Sequence, residues 1–242
     1  MAKALTATTR STATMTEYAL EAQGLTSLLR LVSPALPIGG YTGSEALEYA
    51  IAAGWLADDE ALHAWIAGRL GHGLAGVDLP LLMRFVEAFE KDDHEAVLRW
   101  SQCLRALRES FELARQDAAM GRALASLLAD LGEPRAEAWR NHECASYPAM
   151  FALAAVSWRV DREAALAGFA FAWCESQVAA AVKIVPLGQT AGQRILARLA
   201  SGIADAVEGA RRVKDAEIGA SEPGLAIASA LHETQYTRLF RS

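Results

Sequence analysis

The 242-residue sequence predicts an all-α fold, a single-domain irregular helical bundle, and three observations carry that reading. Apolar residues recur at helical spacing almost without a break from Leu25 to Leu231. Sustained period-two alternation, the mark of a half-buried strand, is nearly absent. No interior stretch is rich enough in Pro, Ser, Gly or charge to serve as a linker. Hydrophobic side chains make up 52% of the chain, enough for one large core. No unit of about 20 to 50 residues repeats, which argues against a solenoid.

Residues 1–15 read as a flexible leader. Met1 to Thr14 is rich in Thr, Ser and Ala, with Lys3 and Arg10 and no acid, and it lacks an apolar core of signal-peptide length. A transit peptide shares this composition, and Met15 is an alternative start. Residues 16–233 form the helical domain, and 234–242 a C-terminal tail.

The first helix runs from Thr16 to Leu31 and stops at Ser33-Pro34, because the residue before a proline is pushed out of helical space. Thr42, with Glu45 three residues on, predicts a capping box that opens a helix through Leu47 and Tyr49. Asp58-Asp59 starts the next, which carries Leu62, Trp65, Ile66 and Leu70 and is favoured by acid at its positive end. Leu81, Leu82, Phe85, Val86 and Phe89 mark another. From Asp93 to Leu131 the spacing predicts one long helical stretch, stopped by Gly132 and Pro134. Pro148 suits a first turn, and Asp161 opens the apolar stretch that Pro186 ends or kinks. Gln189 to Glu208 places Ile195, Leu196, Leu199, Ile203 and Val207 on one face. A short helix from Gly224 to about Glu233 completes the set.

Ala164 to Val185 is long enough to cross a membrane. Glu175, Gln177 and Lys183 interrupt it, and a carboxylate there is costly against lipid but can be paired inside a bundle, so the expectation is a buried helix of a soluble protein. A formal charge of −6 and a pI near 5.4 argue against sequence-independent nucleic-acid binding. Cys103, Cys144 and Cys174 imply no disulfide framework and suit a reducing compartment.

Catalytic and metal motifs fail on inspection. Gly71-His72-Gly73-Leu74-Ala75-Gly76 matches a dinucleotide pattern, but that pattern needs a preceding strand, and here a helix C-terminus and Gly-rich turn is expected. Gly39 to Ser44 resembles a phosphate loop without its lysine. His232-Glu233 begins a zinc motif whose second histidine is replaced by Tyr236, leaving a surface or interface histidine as the expectation. His142, Glu143 and Cys144 could bind a soft divalent ion in a loop, although neighbours at i and i+2 do not face each other on a helix. A nickel-carrying protein using His142, Cys144 or His232, or a generic helical scaffold, is the alternative reading. No nucleophile–base set is defensible from spacing, so no enzyme is expected.

The tail, Thr234 to Ser242, carries Tyr236, Phe240, Arg238 and Arg241, the residue types that anchor interfaces. Either it packs on its own domain or it docks on another protein.

Leu28 to Glu48 with its Ser33-Pro34-Ala35-Leu36-Pro37-Ile38-Gly39-Gly40 core, Glu175 to Gln193, and His232 to Ser242 together resemble the urease accessory protein UreF family. Arg108-Glu109-Ser110 followed by Met120-Gly121-Arg122 is similar to the family's central helix. Two positions depart from the pattern: Gly43 stands in place of an aromatic and Ala46 in place of Gly. The resemblance implies a cytoplasmic, non-enzymatic, all-helical chaperone that homodimerises and helps load nickel, as the transferred ion and not a tightly bound cofactor, into apo-urease. It implies UreD (UreH in some organisms) and the GTPase UreG as partners. UreD is expected on Tyr236, Arg238, Leu239, Phe240 and Arg241, with Phe240 in an apolar pocket and the arginines on acids. UreG is expected on Glu45, Glu48, Lys183 and Gln189. If the protein supplied an arginine finger to a GTPase, Arg108 or Arg238 would be the residue.

Overall fold

In a computed structural model that describes residues 15–185 and 187–242, the chain folds as one all-α bundle, with no strand among those residues. Apart from Met15, the leader lies outside the described residues, as does Pro186. The helices are α1 (Met15–Leu31), α2 (Leu47–Ala52), α3 (Asp59–Arg69), α4 (Leu79–Glu90), α5 (His94–Leu107), α6 (Phe111–Asp130), α7 (Tyr147–Ser157), α8 (Arg162–Ile184), α9 (Gln189–Ala210) and α10 (Pro223–His232).

Starts follow local chemistry. Asp58, Asp93, Ser110, Ser146 and Asp161 each accept a hydrogen bond from a backbone N–H in the first turn of the helix they precede. The stretch from Asp93 to Leu131 is two helices and not one, because Arg108 adopts an extended backbone and Ser110 caps a new start. That break turns the Arg108 side chain inward.

The Gly-rich segment Leu70–Asp78 departs from the expected turn in the other direction. It is a π-helix that carries α3 straight into α4. Its glycines allow close approach: a β-carbon on Gly73 would meet the Glu222 carboxylate, and one on Gly76 would sit 2.9 Å from the Gly219 carbonyl oxygen. The Gly219 N–H donates to the Gly76 carbonyl at 3.1 Å, tying the α9–α10 connection to this segment.

At the centre lies α7, apolar all round and buried from Pro148 to Ala155. It packs against α4, α6, α8 and α1. Tyr147, Phe151 and Phe169 form a ring cluster with centroids 5.1–5.8 Å apart. Helix α8 is long and apolar enough to cross a membrane, and half of its most apolar window is buried in the bundle. Of its polar residues, Glu175 accepts from the Tyr41 hydroxyl at 2.7 Å, and Gln177 is buried with its side-chain oxygen lacking a hydrogen-bond partner. Helix α9 lays Ile195, Leu199 and Ile203 inward against α8 and the π segment.

Candidate functional site

The chain after α10 turns back over the loop that precedes α2. Amides of Leu239 and Phe240 donate to the two Glu48 carboxylate oxygens at 2.7 and 2.9 Å. The Arg241 N–H donates to the Thr42 carbonyl at 3.0 Å, and the Ser242 carbonyl accepts from the Ser44 amide at 2.6 Å and from its hydroxyl at 2.7 Å. Phe240 is 6% exposed and joins the main core, with the Lys183 ammonium 5.7 Å from its ring centre. Side chains therefore sort into two sets. Phe240 points into this chain's own core and Arg238 reaches Glu112 at 2.8 Å, whereas Tyr236, Leu239 and Arg241 are exposed.

Beneath the tail lies His232, fully buried, which corrects the expectation of a surface or interface histidine. Its Nδ1 sits 2.7 Å from Glu112 and its Nε2 3.4 Å from Glu48. The inner face of α10 brings it there, beside a hydroxyl contact of 2.6 Å between Ser229 and Ser110. The ring's partners come from two elements distant in sequence, α2 and α6, so no local pattern could have revealed them. Phe111 on α6, Ile227 and Leu231 on α10, and Tyr236 and Leu239 in the tail are all exposed.

The predicted capping box at Thr42 and Glu45 does not form. The Thr42 hydroxyl bonds the Gly39 carbonyl, and α2 starts only at Leu47, where Ser44 accepts from the Glu48 amide at 3.3 Å. Between them Glu45 and Ala46 both take left-handed backbone, with φ of 48° and 67°. Such φ values suit glycine, which accounts for the glycine expected at position 46. Position 43 is explained by space: a β-carbon on Gly43 would meet the Gln116 carboxamide. The left-handed pair carries the Glu45 carboxylate to Arg69 at 2.9 Å and to the Trp173 indole N–H at 3.0 Å, with Arg69 also 5.0 Å over the Trp173 ring. Of the four residues expected to face UreG, Glu48 and Lys183 are thus tied to the tail and Glu45 to Arg69. Gln189 is exposed in the first turn of α9.

Behind Glu45 a cavity of about 100 Å³ is lined by Tyr41, Arg69, Asp78, Arg108 and Asp117. Arg108 is held by Asp78 at 2.7 Å and Asp117 at 3.4 Å and is mostly buried, so it is not placed as an arginine finger. Burial pushes the Asp117 carboxyl up to about 6 although Arg108 opposes the shift. Glu222, at the head of α10, faces Arg69 at 3.9 Å, beyond hydrogen-bond reach, and burial pushes it from 4.5 to about 7. The folded chain therefore holds this proton more tightly than the unfolded chain across that interval, and stability falls as pH rises through it. Glu222→Gln is expected to raise stability at pH 8 by on the order of 1–3 kcal/mol, shrinking toward pH 5. Denaturant titrations at the two pH values check this, and a variant no more stable at pH 8 contradicts it.

Metal ligation finds little support in the geometry. His142 Nδ1 accepts from the Cys144 amide at 3.1 Å, its ring packs 5.0 Å from Trp139, and Glu143 points outward to Arg105. Cys144 is buried. Among the described residues no three of His, Cys, Asp and Glu are grouped to hold an ion.

Comparison with known proteins gives a consistent result. The UreF family model matches residues 56–200. The urease accessory protein UreF of Alkalilimnicola ehrlichii is 49% identical over 215 residues, 89% of this chain and 94% of that protein. UreF of Hahella chejuensis is 44% identical over 90% of this chain and 98% of its own length. UreF 2 of Brucella anthropi is 45% identical, covering 89% and 95%.

Proposed function

This chain belongs to the UreF family of urease accessory proteins, and from that premise we propose that it is a non-enzymatic scaffold of urease maturation, joining UreD (UreH) to the GTPase UreG during GTP-dependent nickel insertion into apo-urease. In this reading the protein acts in the cytoplasm as a homodimer, and nickel is cargo of the assembly.

The observation that carries the reading is the tail. Its backbone is anchored at Thr42, Ser44 and Glu48, yet Tyr236 and Leu239 project into solvent, and Phe111, Ile227 and Leu231 are exposed on α6 and α10. Large apolar side chains held out on a fixed backbone lose little conformational entropy on docking, which favours them as anchors. UreD is assigned to this face. Phe240 and Arg238 contribute by holding the tail in place and not by entering the partner. The UreG side is assigned to Glu45 and Gln189, with Glu48 and Lys183 supporting the tail.

Removal of the whole tail would strip Glu48 of its amide partners, so it confounds docking with folding. A cleaner test replaces only exposed groups. The double variant Tyr236→Ala, Leu239→Ala is expected to weaken UreD binding by at least about tenfold while leaving the melting temperature unchanged. Unaltered affinity would sink the assignment.

A further inference from the structure

We infer that Glu222 is a proton-controlled latch on Arg69: protonated, its carboxyl rests uncharged in a niche over Gly73, and deprotonated, it closes on the Nε–H of Arg69.

The niche exists because residue 73 has no side chain. A β-carbon there would stand 2.8 Å from the Glu222 carboxyl carbon. Glu222 and Arg69 are each 10% exposed at the side chain, with a carboxylate oxygen 3.9 Å from Arg69 Nε. Each lacks what the other offers. Arg69 gives Nη2 to Glu45, while its Nε is buried with no hydrogen-bond acceptor among the described residues. Glu222 holds the N-cap position of α10, yet its side chain accepts nothing from the first turn of that helix. A charge-assisted N–H···O bond spans about 2.7–2.9 Å, so a swing of about 1 Å by a flexible side chain completes the pair. A neutral carboxyl gains little from that swing, whereas a buried carboxylate left unpaired is costly.

The other charged groups around α10 leave Arg69 as the destination. Glu109 between α5 and α6, Asp78 at the end of the π segment and Glu45 before α2 are acids, and all three oppose a charge on Glu222. Arg108 is taken by Asp78 and Asp117. His72, beside Gly73, is exposed, with its Nδ1 2.8 Å from the Gly68 carbonyl. Glu48 of α2 and Glu112 of α6 flank His232 at the other end of α10. Burial is the main force holding the proton on Glu222, pushing the carboxyl from 4.5 to about 7 against the pull of Arg69. The latch is therefore open below that interval and closed above it, and closure ties the head of α10 to the last residue of α3.

NMR titration of the full chain from about pH 4 to pH 8 tests this, following the Glu222 carboxyl carbon and the Arg69 Nε–H together. Both are expected to follow one step with a midpoint above 4.5 and no higher than about 7, the Nε–H proton moving downfield as the carboxylate forms. Glu222→Gln is expected to abolish the step at Arg69 while the Asp117 carboxyl still titrates near 6. A step at Arg69 that survives in Glu222→Gln belongs to another group, such as Asp117, and overturns the inference. So does a Glu222 that ionises while the Arg69 Nε–H stays fixed, as it would if the carboxylate turned to cap α10 instead. A Glu222 midpoint at the ordinary 4.5 overturns it as well, and the unmodified chain decides alone if the variant does not fold.

Discussion

Replacing His232 with alanine is expected to cost on the order of 2–4 kcal/mol, because the fully buried ring is the hydrogen-bond partner of two buried carboxylates and its removal leaves both short of a partner beside a cavity. Without the imidazole, Glu48 and Glu112 keep their burial and lose the group between them. Glu112 retains Arg238, which is 37% exposed and screened by water, and Glu48 retains two amides of the tail. Neither substitutes for a fully buried partner. Urea titration of the variant checks this, and a loss below about 1 kcal/mol would show that the cluster contributes little. His232→Gln, which restores a donor of similar reach, is expected to recover part of the loss.

The second large effect runs against helix propensity. Gly121 lies in the middle of α6, where alanine would ordinarily add about 1 kcal/mol of stability. A β-carbon there would stand 2.6 Å from the Ser146 carbonyl carbon and 2.7 Å from its nitrogen. Those are backbone atoms at the head of α7, the central helix, and they cannot swing aside as a flexible side chain would. Gly121→Ala is therefore expected to destabilise the protein by about 1–3 kcal/mol net. Thermal unfolding gives the sign directly, and a rise in melting temperature would mean that α6 and α7 are not packed so closely. The same exchange at Gly209, where a β-carbon meets nothing within 4 Å, serves as the control.

Sequence periodicity was enough to read the fold class and most helix boundaries. Asp58, Asp161, Pro148 and Gly132 announced themselves through local chemistry, which needs no knowledge of the third dimension. Apolar spacing continues through the break at Arg108, so periodicity hides it, and its local signal is Ser110, a good cap within a long pattern. The π segment is hidden for a different reason. Its glycines suggest a turn locally, whereas close packing against Glu222 and Gly219 makes them helical. Glu45 and Glu48 stand out in the sequence as polar groups beside apolar helices, and both carry contacts in the structure. What they contact, Arg69 and the tail, depends on pairings across 24 residues in one case and nearly two hundred in the other, which no short pattern encodes. The family resemblance pointed to the tail as a unit but could not divide inward Phe240 from outward Tyr236 and Leu239.

The π turns between Arg69 and Leu79 also set an angular phase. A π turn takes up about one more residue than an α turn, and at 3.6 residues per turn each extra residue amounts to roughly 100° of rotation. Because α3, the π segment and α4 run on without a loop, that offset is transmitted along the whole rod. It lets Leu62 and Ile66 at one end and Phe85 and Phe89 at the other meet their separate neighbours. Insertion or loss of one residue in this stretch is consequently an error of angle and not of length. It swings one end's apolar face toward water.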